Sequence, residues 1–382
     1  MSAKGEKPAR ILHLHSTFAS GGKELRSVRI MNALGKQAQH TIVSADPSQL
    51  AAKAHIARGV KASFPTDFPS LRGRPTPGRL NRIARTMKPF DLVLTYNWGA
   101  MDAVMAHTLF RDHLGLPSLV HHEDGFNEDE RDGLKTTRNW YRRIALGKAS
   151  GLVVPSETLE EIALETWQQP LGRVKRIANG IDTRAFAKKP KPDALRGVIK
   201  RREERWVGTL AGLRRVKNLP ALVRAFRTLP EPWQLVIVGE GPEEAAIRDE
   251  ANRLNIGHRV HLPGFVPDPA RFVGLFDIFA LSSDTEQFPI SVVEAMAAGL
   301  PVVAPDVGDV AEMVAPANTP FVIPAGDDSA IASALERLAA DDALRKAVGE
   351  ENRQRAVAEY DERRMLDTYR RLYGSAMGRT LT

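Results

Sequence analysis

The sequence predicts an α/β protein made of two doubly wound domains that face each other across a cleft. The chain has 382 residues, which exceeds one ordinary domain, and its hydrophobic content of 43% fits a globular α/β protein. Short apolar runs alternate with stretches of helical periodicity through both halves. A charged, proline-containing stretch at 188–205 predicts a linker with a short helix. We therefore place the first domain at 1–187 and the second at 188–360.

Composition excludes several kinds of protein. The chain has no cysteine, so it has no disulfide, no thiolate metal site and no cysteine nucleophile. The first ten residues are polar and do not resemble a signal peptide. No apolar run approaches the roughly 20 residues that span a bilayer. We therefore expect a cytoplasmic protein.

The positive charge is concentrated in the first half. Residues 1–187 hold 27 Lys/Arg and 18 Asp/Glu, whereas the remaining residues are close to neutral. Such a half favours an anionic surface, which could be membrane headgroups, a lipid-linked acceptor or nucleic acid. A basic but merely soluble surface explains the charge equally well.

The first half begins with a buried strand, a glycine turn and a helix. Residues 10–15 alternate apolar side chains with two histidines, which we interpret as strand residues rather than ligands. Gly21 and Gly22 follow, and glycine lets the backbone approach a ligand closely. The dinucleotide fingerprint G-x-G-x-x-G is absent, which argues against a Rossmann oxidoreductase.

A basic amphipathic helix is predicted at 79–88, between strands at 40–44 and 91–96. Four apolar residues share one face of it: Leu80, Ile83, Ala84 and Met87. The arginines take the other faces. Two interpretations can coexist, because the apolar stripe can pack on the sheet while the arginines face an anionic membrane.

A polar cluster follows the strand predicted at 116–120. It contains His121, His122, Glu123 and Asp124, and ligands of open α/β sheets bind beyond the carboxyl ends of the strands. Strand alternation places His121 and Glu123 on one side and the other two residues opposite. The spacing alone does not make a metal site. We favour His121 and Asp124 as the functional members.

The second half opens with a strand at 206–212 and a basic loop. Arg214, Arg215 and Lys217 lie in this loop, where cations could neutralise a diphosphate leaving group. No Asp-x-Asp occurs in the chain, so we expect no metal to do this work. Three further strands are predicted at 235–241, 260–266 and 277–283.

A short helix with defined ends follows the last of these strands. Pro289 suits the first helical position, Gly299 suits the position just after the helix, and Pro301 forbids continuation. Free N–H groups near 288–291 offer a place for phosphate oxygens. The buried side of this helix carries Val292, Val293 and Met296.

Two carboxylates flank the start of this helix. Glu286 lies in the loop before it, and Glu294 points along the open side that the helix N-terminus faces. Together they could hold two parts of an elongated anionic ligand. Two glutamates at this spacing are, by themselves, most often solvated surface charges.

The run from Glu286 to Pro301 resembles the E-x7-E signature of retaining GT-B glycosyltransferases, especially glycosyltransferase family 4. Asn179-Gly-Ile-Asp resembles the family's junction into the second domain, and Val238-Gly-Glu-Gly-Pro resembles its V-G-x-G-P turn. The resemblance is dense over 206–310 and patchy, though correctly ordered, over 10–186. It implies a GT-B fold of two Rossmann-like domains, with a C-terminal helix at 361–382 that crosses back to the first.

The resemblance also implies a role for each candidate residue. Glu286 would contact the donor sugar and Glu294 the ribose hydroxyls of the nucleotide. The donor diphosphate would lie near Lys217, Arg214, Gly21, Gly22, Ile290 and Ser291. The base would be read by the backbone of Gly264, Phe265 and Val266. Contact with the donor sugar and help in its activation would come from His121 and Asp124.

Three positions depart from the family pattern. Gly212 stands where an arginine is usual, although Arg214 follows two residues later. Pro289 replaces a common glycine and has no N–H to offer. If Gly125 aligns with the family's His-Gly pair, Asp124 takes the position of the histidine.

The resemblance implies a retaining glycosyltransferase that forms an α-glycoside in the synthesis of envelope glycans or glycolipids. The expected partners of this chain are a nucleotide sugar, a glycan or lipid-linked acceptor and, because its first half is basic, an anionic membrane surface, with no nucleic acid, cofactor or metal. We expect peripheral attachment at the inner face of the membrane. Two alternatives remain: a nucleotide-sugar epimerase of the same fold, and a non-catalytic protein that binds nucleotide sugars or lipid.

Overall fold

A computed structural model describes residues 7–126, 130 and 133–381. The chain divides into two compact units. The first unit is Met1–Ala178 with Met365–Thr382, and the second is Asn179–Arg364. The boundary therefore precedes the one expected at residue 187. Ile181 explains the difference, because its backbone N–H donates to the Tyr360 carbonyl oxygen at 3.0 Å within the second unit.

The first unit contains a seven-stranded sheet in which every pairing is parallel. Its strands are β1 (Ala9–His15), β2 (Ala38–Ser44), β3 (Lys61–Ser63), β4 (Leu92–Tyr96), β5 (Ser118–His122), β6 (Gly151–Val154) and β7 (Val174–Arg176). The strand order is β3-β2-β1-β4-β5-β6-β7. The order reverses direction between β1 and β4, which is where ligands bind in doubly wound sheets.

Helices cover both faces of this sheet. They are α1 (Gly22–Leu34), α2 (Pro77–Met87), α3 (Met101–Leu114), α4 (Thr136–Ala145), α5 (Glu157–Glu161) and the C-terminal α13 (Glu362–Met377). Side chains of α2, α3 and α4 share a core with Leu12 and Val93 on one face. Side chains of α1 and α13 share a core with Ile11 and Leu92 on the other. All four apolar residues predicted for α2 are buried, which confirms that its stripe packs on the sheet.

The second unit contains a six-stranded parallel sheet. Its strands are β8 (Arg205–Leu210), β9 (Trp233–Val238), β10 (Val260–Gly264), β11 (Ile278–Ala280), β12 (Val302–Pro305) and β13 (Val322–Ile323), in the order β10-β9-β8-β11-β12-β13. Its helices are α6 (Thr183–Phe186), α7 (Leu219–Phe226), α8 (Glu244–Arg253), α9 (Ile290–Ala297), α10 (Val310–Met313), α11 (Asp328–Ala340) and α12 (Asp342–Glu359). The direction reverses between β8 and β11.

Two features of the fold differ from the expectations. The short helix predicted within 188–205 is absent, because this stretch forms turns until β8 begins. The edge strands β3, β7 and β13 were not predicted, since two or three residues are too few to show a period. Among the described helices, none combines the length and apolar character needed to cross a membrane.

Candidate active site

Lys217 and Glu286 meet at the reversal point of the second sheet. Lys217 ends a single helical turn after β8, and Glu286 lies in the loop after β11. The Lys217 Nζ contacts Glu286 Oε1, and the Ser283 Oγ donates to the same oxygen at 2.7 Å. The two charged side chains are 15% and 12% exposed, so each is held firmly but can still reach a ligand. Two residues predicted from separate motifs are thus neighbours.

Hydrogen bonds tie together the two loops that carry these residues. The Ser282 Oγ donates to the Lys217 carbonyl oxygen at 2.9 Å. The Asp284 N–H donates to the Val216 carbonyl oxygen, also at 2.9 Å. Asn218 takes a left-handed conformation with φ 44°, and its Nδ2 donates to Asp284 Oδ1. These bonds fix the distance between the lysine loop and the glutamate loop.

The glycine turn after β9 lies directly against the lysine loop. Gly239 and Gly241 have φ angles of 150° and 157°. A Cβ on Gly241 would collide with the Leu213 carbonyl oxygen, and one on Gly239 would collide with that of Ala211. The Leu213 N–H in turn donates to the Glu240 carbonyl oxygen at 2.9 Å. Only glycine permits this approach of the two backbones.

Helix α9 begins at Ile290, which corrects the position predicted for Pro289. Pro289 has ψ 107° and is the residue before the helix rather than its first residue. The N–H groups of Ile290 and Ser291 therefore lie in the first turn, where the helix dipole favours an anion. Val292, Val293 and Met296 are buried, whereas Ser291 and Glu294 are half-buried, which confirms the predicted faces of the helix.

The segment predicted to read the base follows β10. Gly264 ends this strand with φ 81°, and its carbonyl oxygen accepts from the Gly239 N–H at 3.0 Å. The Phe265 N–H donates to Glu240 Oε1 at 3.3 Å, and the Phe265 ring is 65% exposed. Val266 beside it is half-buried. This backbone therefore adjoins the glycine turn, on the same edge as the lysine loop.

The structure gives Arg214 no ion pair with any residue that it describes. Its side chain is exposed, in contrast to that of Lys217. Of the two cations predicted for the diphosphate, only Lys217 is positioned by contacts with neighbouring groups.

At the reversal point of the first sheet, Gly21 and Gly22 lie at the start of α1. Gly21 precedes the helix and its carbonyl oxygen accepts from the Leu25 N–H at 2.9 Å. The buried Glu24 carboxylate contacts the Lys23 Nζ and accepts from the Thr17 Oγ1 at 3.2 Å. A carboxylate of the chain itself therefore lies in the first turn, where the sequence predicted donor phosphate.

His121 is enclosed within the first unit. Its side chain is fully buried, and its Nδ1 lies 2.8 Å from the Thr95 Oγ1. Its Nε2 lies 3.7 Å from Glu123 Oε2, which confirms that the two side chains share one side of the strand. The imidazole is not exposed to solvent. Its contact with a donor sugar stays a prediction.

Asp124 is held in an ion pair with Arg26 on α1. The Arg26 Nη2 donates to Asp124 Oδ2 at 2.8 Å, and Nη1 contacts the other oxygen. Burial disfavours the charged guanidinium, but the Asp124 carboxylate outweighs this effect and raises the pKa of Arg26. The predicted catalytic role of Asp124 is untested, and the visible role of its carboxylate is to neutralise a buried cation.

A second buried ion cluster lies next to this pair and was missed from the sequence. Arg142 on α4 is fully buried, and its Nε donates to Glu123 Oε2 at 3.3 Å. Its other nitrogens donate to both oxygens of Glu130, which Arg138 also contacts at 2.9 Å. Burial acts to raise the pKa of Glu130, yet the hydrogen bonds from both arginines hold it below its usual value. Nothing in the local sequence signals these partners.

Gly308 is a further site residue that the sequence reasoning missed. It follows β12 with φ 58°, and a Cβ there would lie 2.7 Å from the Glu286 carbonyl oxygen. The next N–H, that of Asp309, donates to the Gln287 carbonyl oxygen at 3.0 Å. The loop after β12 therefore supports the backbone of Glu286. The signal for it was a glycine shortly after the apolar run at 302–304.

Two family models match the chain, one over each half. The family described as Glycosyltransferase Family 4 matches residues 20–185, and that described as Glycosyl transferases group 1 matches residues 192–355. The two matches together leave only the termini and a short connection unmatched.

Curated relatives include two enzymes with a stated donor or product. The chain is 25% identical over 207 residues to an N-acetyl-alpha-D-glucosaminyl L-malate synthase of Bacillus anthracis, and this alignment spans 54% of each chain. It is 29% identical over 280 residues to a GDP-mannose-dependent alpha-mannosyltransferase of Mycobacterium tuberculosis, over 68% of each chain. The first alignment thus spans about half of the synthase.

Solved structures include the Anabaena protein HepE in complex with UDP. The TM-score is 0.78 at 21% identity, with 96% of this chain and 100% of HepE covered. At this identity the likeness concerns the fold, and it includes both parallel sheets.

Proposed function

Because the chain belongs to the GT-B glycosyltransferases of the group 1 and family 4 type, we propose that it transfers a sugar from a nucleotide-sugar donor to an acceptor hydroxyl with retention. The product would be an α-glycoside and a nucleoside diphosphate. The observation that carries this proposal is the contact of Lys217 and Ser283 with one oxygen of Glu286, at the reversal point of the second sheet. A donor placed there meets a cation, a carboxylate and a helix N-terminus.

Lys217 and the start of α9 would stabilise the diphosphate. Negative charge grows on the leaving group as the glycosidic bond breaks, and fixed positive groups lower the energy of that state most. Pro289 has no N–H, so the N–H groups of Ile290 and Ser291 take this part. We propose that no metal is needed, since the Lys217 ammonium and the two amides would face the developing charge.

Glu286 and Glu294 would hold the two ends of the donor. Glu286 Oε1 is occupied by Lys217 and Ser283, while Oε2 bonds to no described residue and is left for a sugar hydroxyl. Glu294 lies about one helical turn inside α9, on the half-buried face, and would accept from the ribose hydroxyls. The base would stack near Phe265, whose backbone adjoins the glycine turn.

The acceptor is proposed to be a glycan or lipid-linked saccharide of the cell envelope. The M. tuberculosis relative is named as an alpha-mannosyltransferase, which supports an α-linkage in the product. The basic first half would suit an acceptor that carries phosphate or lies at an anionic surface.

A donor screen tests the proposal. The melting temperature is measured with UDP-, GDP- and ADP-sugars. The donor that raises it most is then incubated with candidate acceptors, and the product masses are determined by mass spectrometry. We expect one nucleotide class to raise the melting temperature and the acceptor to gain one sugar. Donor binding followed by release of an epimerised sugar and free nucleotide would indicate an epimerase instead. Donor binding with no turnover on any acceptor would indicate a non-catalytic binding protein.

A second measurement addresses the metal. EDTA is expected to leave turnover unchanged. Activity that disappears with EDTA and returns with a divalent ion would refute metal-free transfer while leaving the glycosyltransferase assignment intact.

A further inference from the structure

Helices α2, α3 and α4 form one layer on the first sheet. Their inner sides share a single core, α2 packs against α3, and α3 packs against α4. The Arg79 Nη1 donates to Asp102 Oδ2 at 2.6 Å and joins α2 to α3. The Tyr141 OH donates to the other oxygen of Asp102 and joins α4 to α3. The outer sides of the three helices therefore lie next to one another and face away from the sheet.

Large apolar side chains are exposed on this outer face. Trp140 and Ile144 of α4 are 55% and 53% exposed, and Leu109 of α3 is 55% exposed. Trp140 and Ile144 are four residues apart and so share one side of the helix. Thr108 donates to the Ala145 carbonyl oxygen, which brings Leu109 and Ile144 to the same end of the layer. We name these three exposed residues the apolar patch.

Cations are frequent on α2 and α4, and one of them contacts the apolar patch. Residues 72–88 contain six Lys/Arg and residues 135–148 contain five, with no Asp or Glu in either stretch. Arg82, Arg85 and Lys88 are exposed and form no ion pair with any residue in the described ranges. The Arg143 guanidinium lies 5.0 Å from the centre of the Trp140 ring.

The acids of this layer are already neutralised. Asp102 is paired with Arg79, and the exposed Asp112 is paired with Lys148. Arg79 was predicted for a face away from the apolar stripe, and its ion pair with Asp102 makes it unavailable to an outside partner. Among the described residues of these three helices, the remaining charge of the outer face is positive.

We propose that this outer face docks the protein on an anionic lipid bilayer, with Trp140 and Ile144 inserted among the headgroups. A tryptophan favours the boundary between headgroups and hydrocarbon, where its ring is apolar and its N–H remains wet. Nearby lysines and arginines gain from anionic headgroups within a Debye length. Helix α2 contributes positive charge, but its apolar side chains are buried. The side chains that can insert into the bilayer are on α4.

Charge makes a bilayer a better occupant than a second copy of the chain. A two-fold contact through this face would place the cations of one copy against those of the other. Anionic lipid presents the complementary charge.

Sedimentation with vesicles tests the proposal on the full chain. Vesicles of phosphatidylcholine alone are compared with vesicles that also contain phosphatidylglycerol, at low and high salt. We expect binding to the anionic vesicles only, weakened by salt. The double variant Trp140→Ser/Ile144→Ser should bind at least about tenfold more weakly, because two inserted apolar side chains are lost.

Two matched variants separate insertion from charge. Ile199→Ser/Val357→Ser removes exposed apolar side chains of the second unit and should bind like wild type. Arg82→Ala/Arg85→Ala/Lys88→Ala should bind more weakly and with a smaller dependence on salt.

Several outcomes overturn the proposal. These are equal pelleting with both kinds of vesicle, pelleting with neither, and an unchanged affinity of the Trp140→Ser/Ile144→Ser variant. A dimer of the wild type that this variant dissociates, measured by sedimentation equilibrium, would assign the face to a second copy instead. The glycosyltransferase proposal survives each of these results, because transfer to a soluble acceptor does not require the vesicle.

Discussion

The carboxyl edges of the two sheets hold charged side chains in opposite ways. In the second unit, Lys217 and Glu286 stay partly exposed, and hydrogen bonds between the two loops that carry them hold them in position. In the first unit, Glu123 and its partner Arg142 are both fully buried, whereas Asp124, paired with Arg26, keeps 13% of its side chain exposed. The pair in the second unit leaves charge accessible to a ligand. The Glu123–Arg142 pair instead holds a loop and a helix against the sheet.

This difference distinguishes charged residues that can bind a ligand from those that only stabilise the fold. A charge meant for a ligand must keep one side open, whereas a buried charge without its partner is costly. Equivalent positions in two sheets of the same design therefore need not share a role. Each of the following changes should affect one edge and spare the other.

Removal of Arg142 should have the largest effect, which is a loss of folding stability. Arg142→Met leaves the carboxylates of Glu123 and Glu130 buried without their shared partner, which typically costs about 3–5 kcal/mol. Urea unfolding measures the loss. Arg143→Met on the same helix is the control and should change stability by less than about 0.5 kcal/mol, since its side chain is partly exposed. Equal losses in the two variants would contradict the support role.

Removal of Lys217 should lower turnover and spare stability. Lys217→Ala deletes the cation facing the proposed diphosphate, and loss of one such group costs about 10²–10³-fold in kcat. Steady-state kinetics with the donor found in the screen measures it. Arg227→Ala, an exposed cation after α7, is the control. An unchanged kcat in Lys217→Ala would remove the lysine from the mechanism.

Acid should weaken the first unit through its buried histidines. Burial lowers the pKa of His40 to about 4, and burial together with the neighbouring His40 lowers the pKa of His13 well below its usual value. Below the usual value of 6.5 the unfolded chain binds protons that the folded chain refuses, so stability falls as pH falls. His40 alone should account for about 2 kcal/mol between pH 7 and pH 5.

The variant His40→Gln tests this contribution. Its stability should vary with pH by about 2 kcal/mol less than that of wild type, as measured by urea unfolding at pH 7 and pH 5. The exposed His113→Gln on α3 is the control and should keep the wild-type dependence. Identical pH dependence in His40→Gln and wild type would show that His40 titrates normally.

The smallest predicted effect concerns the positioning of Glu286. Ser283→Ala removes the hydrogen bond to Oε1, which should lower kcat about tenfold with little change in the KM for donor. Ser333→Ala, exposed on α11, serves as the control. A change confined to KM would indicate that Ser283 contacts the donor directly.

The sequence predicted what depends on neighbouring residues. The alternation of strands and helices gave the fold class, and the apolar periodicity of α2 and α9 gave their buried faces. The shared side of His121 and Glu123 followed from strand alternation. Each of these features is determined within a few residues of chain.

What the sequence could not predict depends on distant partners. Arg26 and Asp124 are 98 residues apart in the chain. A polar cluster at the end of a strand has the same sequence pattern whether its partner is a ligand or a buried arginine. Edge strands of two or three residues carry no period. The support that Gly308 gives to Glu286 requires the loop after β12 to return beside the loop after β11.

Calorimetric titration of a nucleoside diphosphate shows which of the two sheet edges binds the nucleotide. The ligand is the diphosphate of the nucleotide class selected by the donor screen, added to wild type, Glu294→Gln and Asp124→Asn. We expect roughly 10–100-fold weaker binding in Glu294→Gln, where a hydrogen bond to a charged group is lost, and wild-type affinity in Asp124→Asn. Wild-type affinity in Glu294→Gln with loss of binding in Asp124→Asn would place the nucleotide on the first unit and contradict it.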